Sequence, residues 1–122
     1  MRSIAQCSTL AAVLLLLTSQ CQDSPDERVH PVVHFLSPAP GETLSVGIVQ
    51  LSALATDNVA VKRVSFWRDS TLLGFDEHPS GDTWSVRVDA RAGFLGWRRL
   101  AANAMDRSDN QSFDTTWAYF VP

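Results

Sequence analysis

The chain has 122 residues, with 10 lysines and arginines, 13 aspartates and glutamates, and a formal net charge of −3. This length fits one domain, and 45% hydrophobic against 19% charged residues is typical of a chain that buries a core. The acidic balance argues against a nucleic-acid partner, because binding phosphates requires a basic surface. Two cysteines are too few for a zinc ribbon or a scaffold with several disulfides.

Residues 1–20 predict a cleaved signal peptide. Arg2 gives a positive start, an unbroken apolar run follows at 10–17, and the small polar residues Thr18 and Ser19 come next. This order is typical of secretory signal peptides, and the apolar run is shorter than the about 20 residues that a membrane-spanning helix needs. We therefore expect the chain to be exported.

Cys21 resembles the cysteine of bacterial lipoproteins, whose thiol carries a diacylglycerol and becomes the mature N-terminus. The resemblance implies a lipid anchor at Cys21 that holds the protein at the bacterial outer membrane or cell surface and provides its only membrane contact. The alternative is cleavage near Ser19 by the ordinary signal peptidase, which leaves a free thiol in a secreted or periplasmic protein. Residues 21–31 are acidic and interrupted by proline, a composition that predicts a tether.

From residue 32 onward, short apolar patterns alternate with turns. Alternation places Trp84 in the core, and turns recur about every 8–12 residues, which is typical of an antiparallel sandwich. We predict an all-β domain over 32–122, a seven-stranded antiparallel immunoglobulin-like β-sandwich. The predicted strands are 32–36, 48–55, 61–68, 72–75, 83–89, 97–105 and 113–121.

Several segments of this region resemble bacterial immunoglobulin-like (Big) domains. Arg68 and Arg98 stand at positions that are often apolar in that family. The resemblance implies a non-catalytic module of exported bacterial proteins that serves as a spacer or a contact unit. The segments that carry it are 37–41, 55–58, 61–69, Leu73-Gly74, Gly96, Leu100, Ala102, Ala104, Asp106 and Asn110.

The sequence contains no motif that predicts an enzyme. It has no Gly-x-Ser-x-Gly elbow, and His30, His34 and His78 do not have the spacing of a His-Glu-x-x-His metal site. We therefore expect no catalytic residues and no cofactor, with calcium as the one cation to consider.

A calcium site is one hypothesis for the loops at one end of the sandwich. Carboxylate and amide oxygens suit calcium, which takes 6–8 oxygen ligands, but aspartate and asparagine are also common because they form turns. Calcium bound here would stabilise the end of the domain that lies near its anchor. The candidate ligands are Asp57, Asn58, Asp76, Glu77, Asp82, Asp106, Asp109 and Asn110.

An exposed aromatic patch is the second hypothesis. Alternation points Trp67 and Trp97 outward on neighbouring strands, and Phe120 joins them if Trp117 and Tyr119 point inward. With Arg99 beside them, these rings would bind a carbohydrate or an envelope protein. The competing interpretation is that the rings pack on arginine stems such as Arg63 and Arg99.

Two functions remain open. The first is an exported, lipid-anchored module that acts in adhesion or in contact with a ligand or protein through Trp67, Trp97, Arg99 and Phe120. The second is a structural or accessory envelope protein, with or without bound calcium and with no ligand of its own. Exposed rings would favour the first function, whereas buried rings would favour the second.

Overall fold

The structure is a computed structural model that describes residues 29–122. The predicted signal peptide, the predicted lipid attachment at Cys21 and most of the predicted tether lie outside the described residues. Within residues 29–122 there is no cysteine, so the fold of this part is stabilised by packing and hydrogen bonds without a disulfide. No helix in this part has the length and hydropathy needed to cross a membrane.

Within residues 29–122, eight strands form two sheets packed face to face. One sheet has three strands in the order β1-β3-β6, and the other has five in the order β2-β8-β7-β4-β5. The strands are β1 Val32–Ser37, β2 Glu42–Ser45, β3 Gly47–Thr56, β4 Val61–Arg68, β5 Thr71–Asp76, β6 Thr83–Ala90, β7 Gly96–Asp106 and β8 Gln111–Val121, with a 3₁₀ turn at Ala92–Phe94.

The core lies between the two sheets, where alternate residues of each strand point inward. The predicted inward residues of β3, β4 and β7 are buried, Leu51, Val64 and Leu100 among them, except for Val49, which is partly buried against the core. The prediction for Trp84 is also confirmed, since the ring is 5% exposed and its Nε1 donates a hydrogen bond to the Ala55 carbonyl at 3.2 Å. A clear apolar face on a strand was therefore sufficient to place that strand.

The prediction of seven strands is wrong by one. The chain crosses from one sheet to the other after β1, and Glu42–Ser45 then pairs in parallel with β8. Gly41 makes this crossing possible with a φ of +79°, a conformation that favours glycine, and its amide donates to the Trp117 carbonyl. Four residues are too few to show an alternating pattern, which is why β2 could not be predicted from the sequence.

The connection between β6 and β7 closes one end of the core. Phe94, in its 3₁₀ turn, is buried and contacts Phe120 edge-on, with ring centroids 5.2 Å apart. The guanidinium of Arg68 lies 4.7 Å from the Phe94 ring centroid, and Nε of Arg98 donates to the Phe94 carbonyl. The two arginines that depart from the usual family pattern therefore hold this turn in place.

The start of the described chain lies at the opposite end of the sandwich. His30 is exposed and its Nδ1 lies 2.9 Å from the carbonyl of Gln111, the first residue of β8. Pro31 is buried. The last two residues of the predicted tether thus already contact the domain, and they do so beside the loop that joins β7 to β8.

Candidate functional site

The outward side of the five-stranded sheet carries a continuous set of large side chains, which we name the aromatic face. Phe113 is 64% exposed, Trp97 57% and Trp117 52%, although rings of this size are usually buried. Neighbouring strands of one sheet bring all of them to the same side. The aromatic face comprises Trp67, Leu72, Phe75, Trp97, Met105, Phe113, Trp117 and Tyr119.

Trp67 and Trp97 occupy the outward positions that the sequence predicted. Trp67 is partly buried, and its Nε1 donates to Ser65 Oγ at 3.0 Å, which orients the indole along β4. Trp97 is opposite Tyr119 on β8, and their ring centroids are 5.2 Å apart. Arg99 is exposed beside them, opposite Trp117. Neither tryptophan stacks on Arg63, whose guanidinium lies over the Phe75 ring instead.

The prediction that Phe120 joins this patch is wrong. Phe120 is 1% exposed and lies in the core against Phe94. The physical reason is the period of two along a strand, since a register error of one residue exchanges the two faces. On β8 the inward residues are Thr116, Ala118 and Phe120. Trp117 and Tyr119, expected in the core, are therefore on the surface.

A groove of about 470 Å³ runs along the central strand β7, and we name it the Trp67 groove. Trp67 on β4 is directly opposite Ala101, and Ala101 is directly opposite Thr115 on β8. The small alanine side chain leaves the floor low, while Trp67 and Phe113 rise on either side from β4 and β8, strands that lie two strand spacings or roughly 10 Å apart. The complete lining is Trp67, Asp69, Arg99, Ala101, Asn103, Gln111, Phe113 and Thr115.

Polar groups lie at both ends of the Trp67 groove. At one end are Asp69 and Arg99, and Asp69 is 3.6 Å from Arg98 while the Arg99 guanidinium has no ion-pair partner within residues 29–122. At the other end Asn103 Nδ2 donates to Gln111 Oε1 at 2.9 Å. Asn103 is 8% exposed, and its Oδ1 is buried without a hydrogen-bond partner. An unpaired buried acceptor is uncommon in folded proteins.

A second groove, of about 300 Å³, lies on the other side of Trp67. Asn103 and Gln111 line it as well, so the two grooves share an amide floor. Its outer wall is Phe75, above which the guanidinium of Arg63 is held by an ion pair with Glu77 at 2.9 Å. The aromatic face is thus a ridge at Trp67 with a depression on each side.

The structure does not gather the candidate calcium ligands into one site. Among the described residues, no group of three or more histidine, cysteine or acidic side chains has the arrangement to hold a metal ion. Several of the carboxylates already interact with other groups of the domain. Asp57 accepts a hydrogen bond from the Val59 amide, and Asp76 accepts hydrogen bonds from the amides of His78 and Ser85. Asp109 forms an ion pair with Lys62.

Asp106 organises the loop between β7 and β8. Its carboxylate accepts hydrogen bonds from the Ser108 amide and from both the backbone and the side chain of Asn110, at 2.8 to 3.0 Å. Burial raises the pKa of Asp106, but these hydrogen bonds and the charge of His30 outweigh that effect, so the pKa lies below its ordinary value. The carboxylate thus serves the turn, as expected for an aspartate at this position.

The match to known families is decisive for the fold. A bacterial Ig domain family matches residues 31–116, which is most of the chain. The chain belongs to the bacterial Ig domain family. Modules of this kind are found in exported bacterial proteins. No curated protein sequence matches it.

Solved structures with the same fold include other modules of bacterial proteins. The fibronectin(III)-like modules of Clostridium thermocellum CbhA match with a TM-score of 0.64 at 22% identity, over 73% of this chain and 94% of theirs. The endo-β-1,4-mannanase of Thermotoga petrophila matches with a TM-score of 0.63 at 13% identity, over 83% of this chain and 21% of the enzyme. A modular endo-β-1,4-mannanase of Cellulomonas fimi gives 0.54 at 16% identity, over 75% of this chain and 19% of the enzyme. These identities support a shared fold only.

Sequence reasoning missed four of the rings of the aromatic face. Its patch with Phe120 required Trp117 and Tyr119 to point inward, and it did not consider Phe75 and Phe113 as exposed rings. A usable signal existed, because directly opposite residues of an antiparallel pair lie on the same face. Trp97 pairs with Tyr119 across a hairpin whose loop is only residues 107–110. An outward Trp97 therefore requires an outward Tyr119.

Proposed function

We propose that this bacterial Ig domain is an exported, lipid-anchored envelope protein that makes contacts through its aromatic face. The observation that carries this role is the exposure of several rings on one side of one sheet, with Phe113 at 64% and Trp97 at 57%. Large exposed apolar patches mark interaction sites, and tryptophan and tyrosine are enriched where partners meet. A purely structural module would gain nothing from leaving them in water.

The position of the aromatic face relative to the chain start also supports this role. Trp97 and Tyr119 lie near the beginning of β7 and the end of β8, whereas His30 contacts the opposite end of β8 at Gln111. A lipid on Cys21 would therefore place Trp97 at the end of the domain that faces away from the membrane. That is where a contact surface would meet its partner.

The anchor is tested by metabolic labelling of cells with a palmitate analogue. We expect the full-length protein to carry the label and a Cys21→Ser variant to carry none. A wild-type protein without label would show that the signal peptide is cut by the ordinary peptidase and would remove the anchor from the proposal.

The contact role is tested with full-length protein purified in mild detergent and immobilised. We expect the wild type to retain envelope material that a Trp97→Ala/Trp117→Ala double variant does not retain. The matched control is Ile48→Ala, because Ile48 is 64% exposed on the outer side of the other sheet. Equal retention by the wild type and the double variant, with both folded by circular dichroism, would favour the structural role.

A further inference from the structure

We propose that the Trp67 groove binds a glycan, with one sugar ring lying against the Trp67 indole. This inference rests on the proposed contact role and specifies the ligand class and the place where it binds. A ligand groove is expected to be concave and mostly apolar, with a few convergent polar groups. The Trp67 groove combines aromatic walls, an Ala101 floor and polar groups at each end.

The backbone around the groove argues against an extended peptide as the ligand. Peptides that add a strand to a sheet need an open edge with free N–H and C=O groups. Here β7 is a central strand that pairs with β4 on one side and β8 on the other. A ligand in the groove is therefore contacted by side chains alone.

The side chains fit the surface of a sugar. A pyranose ring has apolar C–H faces, which pack on aromatic rings such as Trp67 and Phe113, and an edge of hydroxyl groups. The hydroxyl groups need both donors and acceptors, and the amides of Asn103 and Gln111 and the hydroxyl of Thr115 provide both. An apolar peptide side chain would leave these groups without partners, at a cost in binding free energy.

Among these polar groups, Asn103 is the one that most clearly requires a hydrogen-bond donor from a ligand. It is 92% buried at the floor shared by the two grooves, and its Oδ1 has no partner although its Nδ2 is bonded to Gln111. Leaving a buried acceptor unpaired costs free energy in the unbound protein. A hydroxyl donor that enters beside the exposed Gln111 side chain supplies the missing partner.

The balance of charge favours a glycan without a strong net charge. Arg99 brings a positive charge and Asp69 a negative one to the same end of the groove. At the far side of Trp67, Arg63 is neutralised by Glu77 at 2.9 Å. A strongly anionic ligand such as a phosphorylated polymer would meet Asp69, and a basic one would meet Arg99.

The proposal is tested with the full-length protein in mild detergent by affinity electrophoresis in gels that contain galactomannan, hydroxyethyl cellulose or xylan. Retention of envelope material is measured in parallel after protease or periodate treatment of that material. We expect retardation by at least one polymer, or envelope retention that survives protease and is abolished by periodate. Trp67→Ala and Phe113→Ala should each weaken the binding about tenfold, whereas Trp67→Phe, which keeps the aromatic wall, should weaken it less.

The outcomes separate this inference from the contact role. Retention that is abolished by protease and survives periodate would overturn the glycan and leave the contact role standing, with a protein as the partner. Concentration-dependent dimers that disappear in Trp67→Ala would overturn it in favour of a second copy of the chain. No binding to any polymer or envelope material, with all variants folded and monomeric, would overturn both the glycan and the contact role.

Discussion

The two outer faces of this sandwich differ in the kind of residue that they leave in water. The five-stranded sheet exposes Trp97, Phe113 and Trp117, whereas the outward side of the three-stranded sheet exposes aliphatic and polar residues, such as Ile48, Leu54 and Gln50. Within residues 29–122 the three-stranded sheet has no exposed aromatic ring. Both sheets meet the same requirement for a packed inner face, so the fold does not explain the rings.

Strand propensity alone does not account for this contrast between the two outer faces. Aromatic residues favour strands because they pack on a pleated surface, and that preference would apply equally to both sheets. Here the rings gather on one sheet and around two grooves that meet at Trp67. The concentration on one side is what an interaction surface requires.

The largest effect is expected on β8, where the inner and outer faces alternate residue by residue. Phe120→Ala should destabilise the protein by about 3–5 kcal/mol, because it removes a buried ring and leaves a cavity. Its exposed neighbour offers the matched control, since Trp117→Ala should change the free energy of unfolding by no more than about 0.5 kcal/mol. Urea unfolding of both variants measures the contrast. Similar losses for both would show that the faces of β8 are assigned incorrectly.

The same strand shows how far the sequence could predict the fold. Strands β3, β4, β6 and β7 were placed correctly because each carries a run of apolar residues at successive alternate positions, such as Leu100, Ala102 and Ala104 on β7. On β8 large apolar residues occur at both parities, with Phe113 and Trp117 at odd positions and Phe120 at an even one. Alternation therefore could not decide which set is buried, and the chosen set was the wrong one.

The candidate site was predicted only in part for the same reason. The outward direction of Trp67 and Trp97 followed from the alternation on β4 and β7, where the neighbouring parity carries inward residues such as Phe66 and Leu100. The groove beside Trp67 could not be predicted, because it depends on Ala101 and Asn103 lying between large residues of two other strands. That arrangement requires the pairing register, which one strand's pattern does not contain.

A smaller effect is expected from the loop that sets the register between β7 and β8. Asp106→Ala should lower the melting temperature at pH 7 more than Asp106→Asn, because alanine accepts none of the bonds from Ser108 and Asn110 and asparagine retains one oxygen. Asp109→Asn is the control, since Asp109 has a φ of +66° that asparagine tolerates. A melting temperature for Asp106→Ala equal to that of the wild type would contradict this role.

The pH dependence has a defined sign. The folded-state pKa of Asp106 lies below its ordinary value of about 3.9, so the stability that the charged form contributes is present above about pH 4 and is lost as the pH falls through the folded-state pKa. The difference in melting temperature between the wild type and Asp106→Asn should therefore be largest above about pH 4 and shrink in more acidic buffer.

A rise in the wild-type melting temperature with millimolar calcium at neutral pH would restore the calcium hypothesis.

A modest effect on stability is expected at the 3₁₀ turn that closes one end of the core, where Arg68 lies over the Phe94 ring. Arg68→Leu removes the guanidinium from the Phe94 ring, 4.7 Å from its centroid, and should destabilise the protein by about 0.5–1 kcal/mol. Arg91→Leu on the same connection is the control, because the Arg91 side chain is 81% exposed and forms an ion pair with Asp89 at the end of β6. Thermal unfolding compares them, and a stabilised Arg68→Leu would mean that the family's usual apolar residue is the better cover for Phe94.

The smallest effect on stability should carry the most information about function. Phe113 and Ile48 are each 64% exposed, one on each outer face, so alanine at either position should change the free energy of unfolding by only about 0.5 kcal/mol or less. The two variants should nevertheless differ in binding, because Phe113 forms a wall of the Trp67 groove and Ile48 lies on the opposite sheet. Retention of envelope material by both variants, measured alongside urea unfolding, makes this comparison. If Phe113→Ala and Ile48→Ala retain the material equally well, the two outer faces are equivalent in function and the contrast between them is one of composition alone.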